Sequence, residues 1–114
     1  MWAAKDNGSY INWQAAKRYC ENYHGGGYTD WRMPTQDELA GLYDLSKSYV
    51  MKGNKNVYLN MTDLIGLSAG HIWASERRGN EAAYFIFYSG KRDSRPVSGY
   101  RIDGYRTLPV RSAK

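Results

Sequence analysis

Two stretches of this chain hold side chains dense enough to do chemistry. The first is Gly26–Leu39, GGYTDWRMPTQDEL, which crowds Asp30, Trp31, Arg32, Pro34, Thr35, Asp37 and Glu38 between glycines and a helix-like run. Carboxylates, a guanidinium and a hydroxyl at such density would suit acid–base work if they converged on a cleft. Asp37 and Glu38 are adjacent, however, and neighbouring residues of a helix point in different directions. Thr35 followed three residues later by Glu38 makes a capping box, in which each side chain accepts from the other's exposed backbone N–H. Both acids then lie in a first helical turn, where negative charge complements the helix dipole. Trp31 and Met33, two apart as on a strand, are expected to enter the core together, leaving Asp30 and Arg32 to tether loop backbone. Asp30, Trp31, Arg32, Pro34, Thr35 and Glu38 therefore read as a structural signature rather than a catalytic loop.

The second stretch is the basic last third. Residues 77–114 carry 9 Lys/Arg against 3 Asp/Glu, whereas residues 1–76 carry 7 against 8. Arg78, Lys91, Arg92, Arg95, Arg101 and Arg106 alternate with Tyr84, Tyr88, Tyr100 and Tyr105. Arginine offers forked contacts to sulfate, phosphate or carboxylate. Tyrosine offers a flat face to sugars or bases. Cross-strand Tyr/Arg packing on a solvated sheet explains the same residues, and both readings stand at this point. Within the region, Arg92, Arg95, Tyr100 and Arg101 are the candidate ligand contacts. Such asymmetry fits a nucleic acid, an acidic polysaccharide or a membrane surface as partner, or simply a solvated face. No nucleic-acid motif accompanies the charge, so a nucleic-acid partner is not expected.

Other chemistries find little support. His24 and His71, the only histidines, have no second ligand at metal-binding spacing, and each is given a structural or surface role. The single Cys20 excludes an internal disulfide and reads as a small buried hydrophobe on a helix. No nucleophile elbow is present, and the glycines of HGGGYTD lack the Lys-Ser/Thr of a phosphate loop. Neither a metal nor a cofactor is expected, and an enzyme is the last-ranked reading.

These residues need positions. At 114 residues the chain is long enough for one core. A helix is expected from about Trp13 to Tyr23, capped by Asn12 and stopped by Gly25–Gly27. A second should run from Thr35 to about Ser48. Tyr49–Gly70 lacks periodicity and reads as a long loop, where binding often resides; whether it takes calcium is open. HIWAS, AAYFIFYSG and YRTLPVR read as strands, with Tyr84, Ile86 and Tyr88 on one side and Phe85 and Phe87 on the other. Two helices followed by an antiparallel sheet make an α+β domain. No apolar run approaches the ~20 residues of a membrane span.

INWQAAKRYCENY, GGYTDWRMPTQDELAGLYD, IWAS, AAYFIFYSG and YRTLPVR together resemble the bacterial Lcl C-terminal domain family, over nearly the whole chain. Met33 stands where Leu is usual and Ala74 where Ser is common. Some members pair the helix cysteine with a second one near the last strand, which here reads Leu108-Pro109-Val110. The block is distantly similar to the formylglycine-generating-enzyme superfamily, whose late cysteines are missing. The resemblance implies a C-type-lectin-like fold, with two helices flanking a small twisted sheet and long loops. By analogy with the family's collagen-like adhesin it implies a non-enzymatic module of an exported or surface protein, cut from a longer chain, that binds an anionic polysaccharide. A protein-interaction or oligomerisation module is the alternative.

Overall fold

The structure is a computed structural model that describes residues 2–9, 11–44, 46–50, 58–61, 65–67, 69–96 and 105–111. Asn12 accepts from the Ala15 N–H at 2.8 Å and so starts helix α1, Trp13–Glu21. The helix ends two residues short of Tyr23: Asn22 makes the last four-residue bond, to the Arg18 carbonyl, and Tyr23 donates only three residues back, to Cys20. A single turn of 3₁₀ helix at Gly25–Gly27 then reverses the chain, with Gly26 and Gly27 at φ of 69° and 81°, backbone that side chains resist. Helix α2 is only Gln36–Ala40. Its expected continuation to Ser48 fails: Leu42 and Tyr43 bond three residues back, and Asp44 donates to Asn60 instead.

Strands β1 (Tyr49–Val50) and β2 (Tyr58–Leu59) form a small antiparallel ladder inside the expected long loop. The main sheet runs β5-β4-β3-β6, from β3 (His71–Arg78), β4 (Glu81–Ile86), β5 (Lys91–Pro96) and β6 (Tyr105–Arg106). The first three make antiparallel hairpins through turns with Gly79 and Gly90 at positive φ. Strand β6 pairs with β3 in parallel, so the sheet is mixed where sequence alone suggested antiparallel pairing throughout. Between the Trp73–Tyr84 and Arg77–Ala82 pairs, Ala74–Glu76 of β3 face Ala83 alone, a bulge that bends the strand.

The alternation in β4 divides the core. Ala83, Phe85 and Phe87 pack with Trp31, Leu39, Leu59, Leu67 and Leu108. Ala82, Tyr84 and Ile86 pack on the other face with Trp13, Ala16, Cys20, Met33, Trp73 and Tyr105. The apolar stripe of α1 is thus Trp13, Ala16 and Cys20, while Tyr19 stays exposed. Trp31 and Met33 are both buried, but in different clusters, not side by side as their spacing suggested. The segment runs from the Gly25 turn, where the Trp31 indole lodges, to the β3 bulge, where Pro34 accepts from Ser75; it passes from one cluster to the other.

Candidate functional site

The signature segment is almost wholly engaged in internal contacts. Arg32 grips Glu38 with both prongs, Nη1–Oε1 at 2.8 Å and Nη2–Oε2 at 2.7 Å, and Nη1 also reaches the Met33 carbonyl at 3.1 Å. Glu38 closes the capping box, accepting from the Thr35 N–H at 2.8 Å while Thr35 Oγ1 accepts from the Glu38 N–H at 3.1 Å. The Arg32 guanidinium, with the Thr35 backbone assisting, holds the Glu38 carboxyl down at about 2. Arg32 and Val110 exchange two backbone hydrogen bonds, at 2.8 and 3.0 Å. Asp30 accepts from Arg111 at 2.7 and 3.1 Å, and that guanidinium lies 3.6 Å over the Tyr28 ring. Trp31 donates Nε1–H to the Gly25 carbonyl at 3.1 Å and meets Tyr23 edge-on at 4.9 Å. At the start of α2, the Glu76 carboxylate accepts from the Gln36 N–H at 2.9 Å. The segment joins the glycine turn, α2, the bulge and the last strand, which is why its polar residues point at protein.

Asp37 and Glu38 diverge as helix geometry requires. Asp37 leaves the fastening network and accepts from Arg92 Nη1 of β5 at 2.6 Å, in a pair whose side chains are 47% and 84% exposed.

Of the four candidate ligand contacts, Tyr100 and Arg101 lie outside the described residues. Arg92 and Arg95 share β5, a regular edge strand, but the register pairs Arg92 with Phe85 and Arg95 with Ala82. They therefore sit on opposite faces of the sheet. Arg95 donates Nη1–H to the Tyr105 hydroxyl at 3.3 Å, with its guanidinium 5.5 Å over that ring. Its Nε is buried and has no hydrogen-bond partner among the described residues.

Beneath Arg95 lies an aromatic cluster. His71 is 5.6 Å from Tyr84 and 4.9 Å from Tyr105; Tyr84 and Tyr105 meet at 5.0 Å, and Tyr105 stacks on Trp73 at 4.8 Å. Burial, with Arg95 nearby, pushes the His71 imidazolium down. Burial and the Tyr105 hydroxyl push the Tyr84 phenol up. Tyr84 and Tyr105 are buried, so of the two readings left open for these tyrosines the packing one holds. Tyr88 differs. It is 46% exposed, stands edge-on to His71 at 5.6 Å, and lies against Gly70, where an added Cβ would meet the ring at 2.5 Å. Sequence alternation placed Tyr88 on this side; nothing in the sequence marked Gly70 as its seat.

Two cavities of about 330 Å³ flank the bulge. One is polar, with Arg77 and Arg78 opposed by Glu76 and Glu81; the other has a Trp13 and Met33 floor rimmed by Lys17, Glu21 and Arg32. Cys20 Sγ lies 3.1 Å from Thr107 Oγ1, and burial pushes its thiol up to about 12, so it stays protonated at neutral pH. His24 is exposed beside the glycine turn. No helix among the described residues is long and apolar enough to cross a membrane.

No curated protein matches the chain. The family model described as the Lcl C-terminal domain matches residues 1–111, covering both helices, the bulged sheet and the last strand, and the chain belongs to that family.

Proposed function

We propose that this domain is a non-enzymatic ligand-binding module, C-type-lectin-like in character, of a bacterial exported or surface protein, and that it takes an anionic polysaccharide. The observation that carries this reading is β5. It is the sheet's edge strand, three of its six residues are cationic, and all are exposed except Arg95, which is half-buried. At the same end of the sheet, Tyr88 offers a ring face fixed by Gly70 and His71. A rigid exposed ring beside cations suits a polymer of saccharide rings bearing acidic groups, since the ring covers C–H surface and the cations take the charge.

Retention on immobilised heparin, compared in low and moderate salt, tests the reading. The protein should be retained at low salt and released as salt rises, and the Arg92→Ala/Arg95→Ala double variant should elute earlier. Flow-through at low salt, or a double variant that elutes with the parent, would sink it. The alternative, strand addition by a protein partner at this edge, is opposed by Lys91, Arg92 and Pro96, residues that keep a sheet edge from pairing. A concentration-independent monomer in sedimentation fits the polysaccharide reading.

A further inference from the structure

We infer that Arg95, and not Arg92, is the residue that grips the anionic group of the ligand, through the fork of Nε–H and Nη–H. The inference rests on the polysaccharide reading and deepens it, since it assigns that reading's charged contact to one side chain. The two arginines are three apart on one strand, carry the same charge and are indistinguishable by sequence. Their surroundings differ. Arg92 already has a carboxylate partner in Asp37, at 2.6 Å. A ligand oxyanion would have to displace it, with one charge pair merely exchanged for another.

Arg95 has no carboxylate partner among the described residues. Asp93, two residues away on the same face, is engaged by Lys91 at 3.7 Å. The one hydrogen bond Arg95 makes among the described residues is to a phenol at 3.3 Å, the long end of the range. Its Nε–H, shut from water with no acceptor, is the only buried side-chain N or O atom of the described residues left in that state. A buried donor without an acceptor is costly and asks for a water or an ion. Lifting off Tyr105 exposes Nε beside Nη, and an oxyanion then receives two parallel bonds between opposite charges in exchange for one long bond to an uncharged acceptor. Tyr105 remains in place under the fork, held by Trp73, Tyr84 and His71. Sulfate esters and uronate carboxylates share the required geometry.

Arginine Nε–H signals in ¹⁵N–¹H spectra report on this contact directly. Arg95→Lys and Arg92→Lys spectra assign the two signals, and unchanged melting temperatures verify that both variants fold. The intact domain is titrated with a heparin hexasaccharide and, separately, with a sulfate-free oligogalacturonate. The expected result is a shift of the Arg95 Nε–H signal with a small or no shift at Arg92, and about tenfold weaker binding for Arg95→Lys only, the loss of one charged hydrogen bond. A response to both oligosaccharides assigns a general oxyanion site, and a response to one names sulfate or carboxylate; either supports the proposal. A shift at Arg92 with none at Arg95 overturns it while leaving the polysaccharide reading intact. Binding of neither oligosaccharide overturns both.

Discussion

The signature segment and strand β5 are both crowded with charge, and they use it in opposite ways. Around Asp30–Glu38, guanidinium meets carboxylate at 2.7–3.1 Å in forked pairs; Arg32–Glu38 ties the segment to the start of α2, and Arg111–Asp30 ties it to the end of the last strand region, 81 residues on. Along β5 the contacts are exposed or weak: Arg92 to an 84%-exposed Asp37, Lys91 to Asp93 at 3.7 Å, and Arg95 to a phenol at 3.3 Å. Charge density alone therefore does not mark a binding site. What separates a fastener from a docking surface is whether the charge already has a partner and whether that pairing closes a loop of the fold.

Trp31 is the side chain whose loss should loosen the fastener most. Trp31→Ala removes a buried ring, its Tyr23 contact and its hydrogen bond to Gly25, and should cost about 3–5 kcal/mol in chemical denaturation. A loss below about 1 kcal/mol would place the fastening elsewhere. Arg32→Ala strands Glu38 and the Met33 carbonyl; with the pair partly exposed, a loss of about 1–2 kcal/mol is expected.

Acid titration sharpens the same point. Glu38 has a folded pKa of about 2, below its ordinary value, so its contribution is complete above the ordinary carboxylate range and is lost as pH falls from about 4 towards 2. After allowance for solvent screening this is about 1 kcal/mol, and Glu38→Gln should remove that part of the pH dependence. A variant whose acid limb matches the parent's would show that Arg32 does not hold Glu38 in solution. Cys20 gives a cleaner contrast: native protein at pH 8 should resist alkylation, and unfolded protein should react at once. Rapid native labelling would mean that α1 opens readily from the sheet. The smallest effect belongs to β5, where Arg92→Ala should change stability by less than about 0.5 kcal/mol.

Much of the fastener was legible in the sequence, because capping and turn chemistry are local. Asn12, the glycine run and the Thr35–Glu38 box all do what their residue types require. The alternation of β4 also carried through, with Tyr84 and Ile86 in one cluster and Phe85 and Phe87 in the other. What failed was non-local. Nothing near Ser48 announced that Asp44 would bond to Asn60 and end α2 early, and nothing in RTLPVR required parallel pairing with β3. The opposite placement of Arg92 and Arg95 follows from their odd spacing once 91–96 is a strand, whereas the face each one takes follows from a register set by the Ile86–Lys91 turn, which residue types do not specify. The seat of Tyr88 depends on Gly70, eighteen residues away and across the sheet.

Elution from immobilised heparin, with Arg95→Ala and Arg32→Ala run beside the parent, tests the division most directly. Each variant removes one positive charge from a protein of net charge +5, so bulk charge cannot separate them. The account predicts that Arg95→Ala elutes at distinctly lower salt while Arg32→Ala, at a temperature where it is folded, elutes near the parent. Equal shifts, or a larger one for Arg32→Ala, would contradict it.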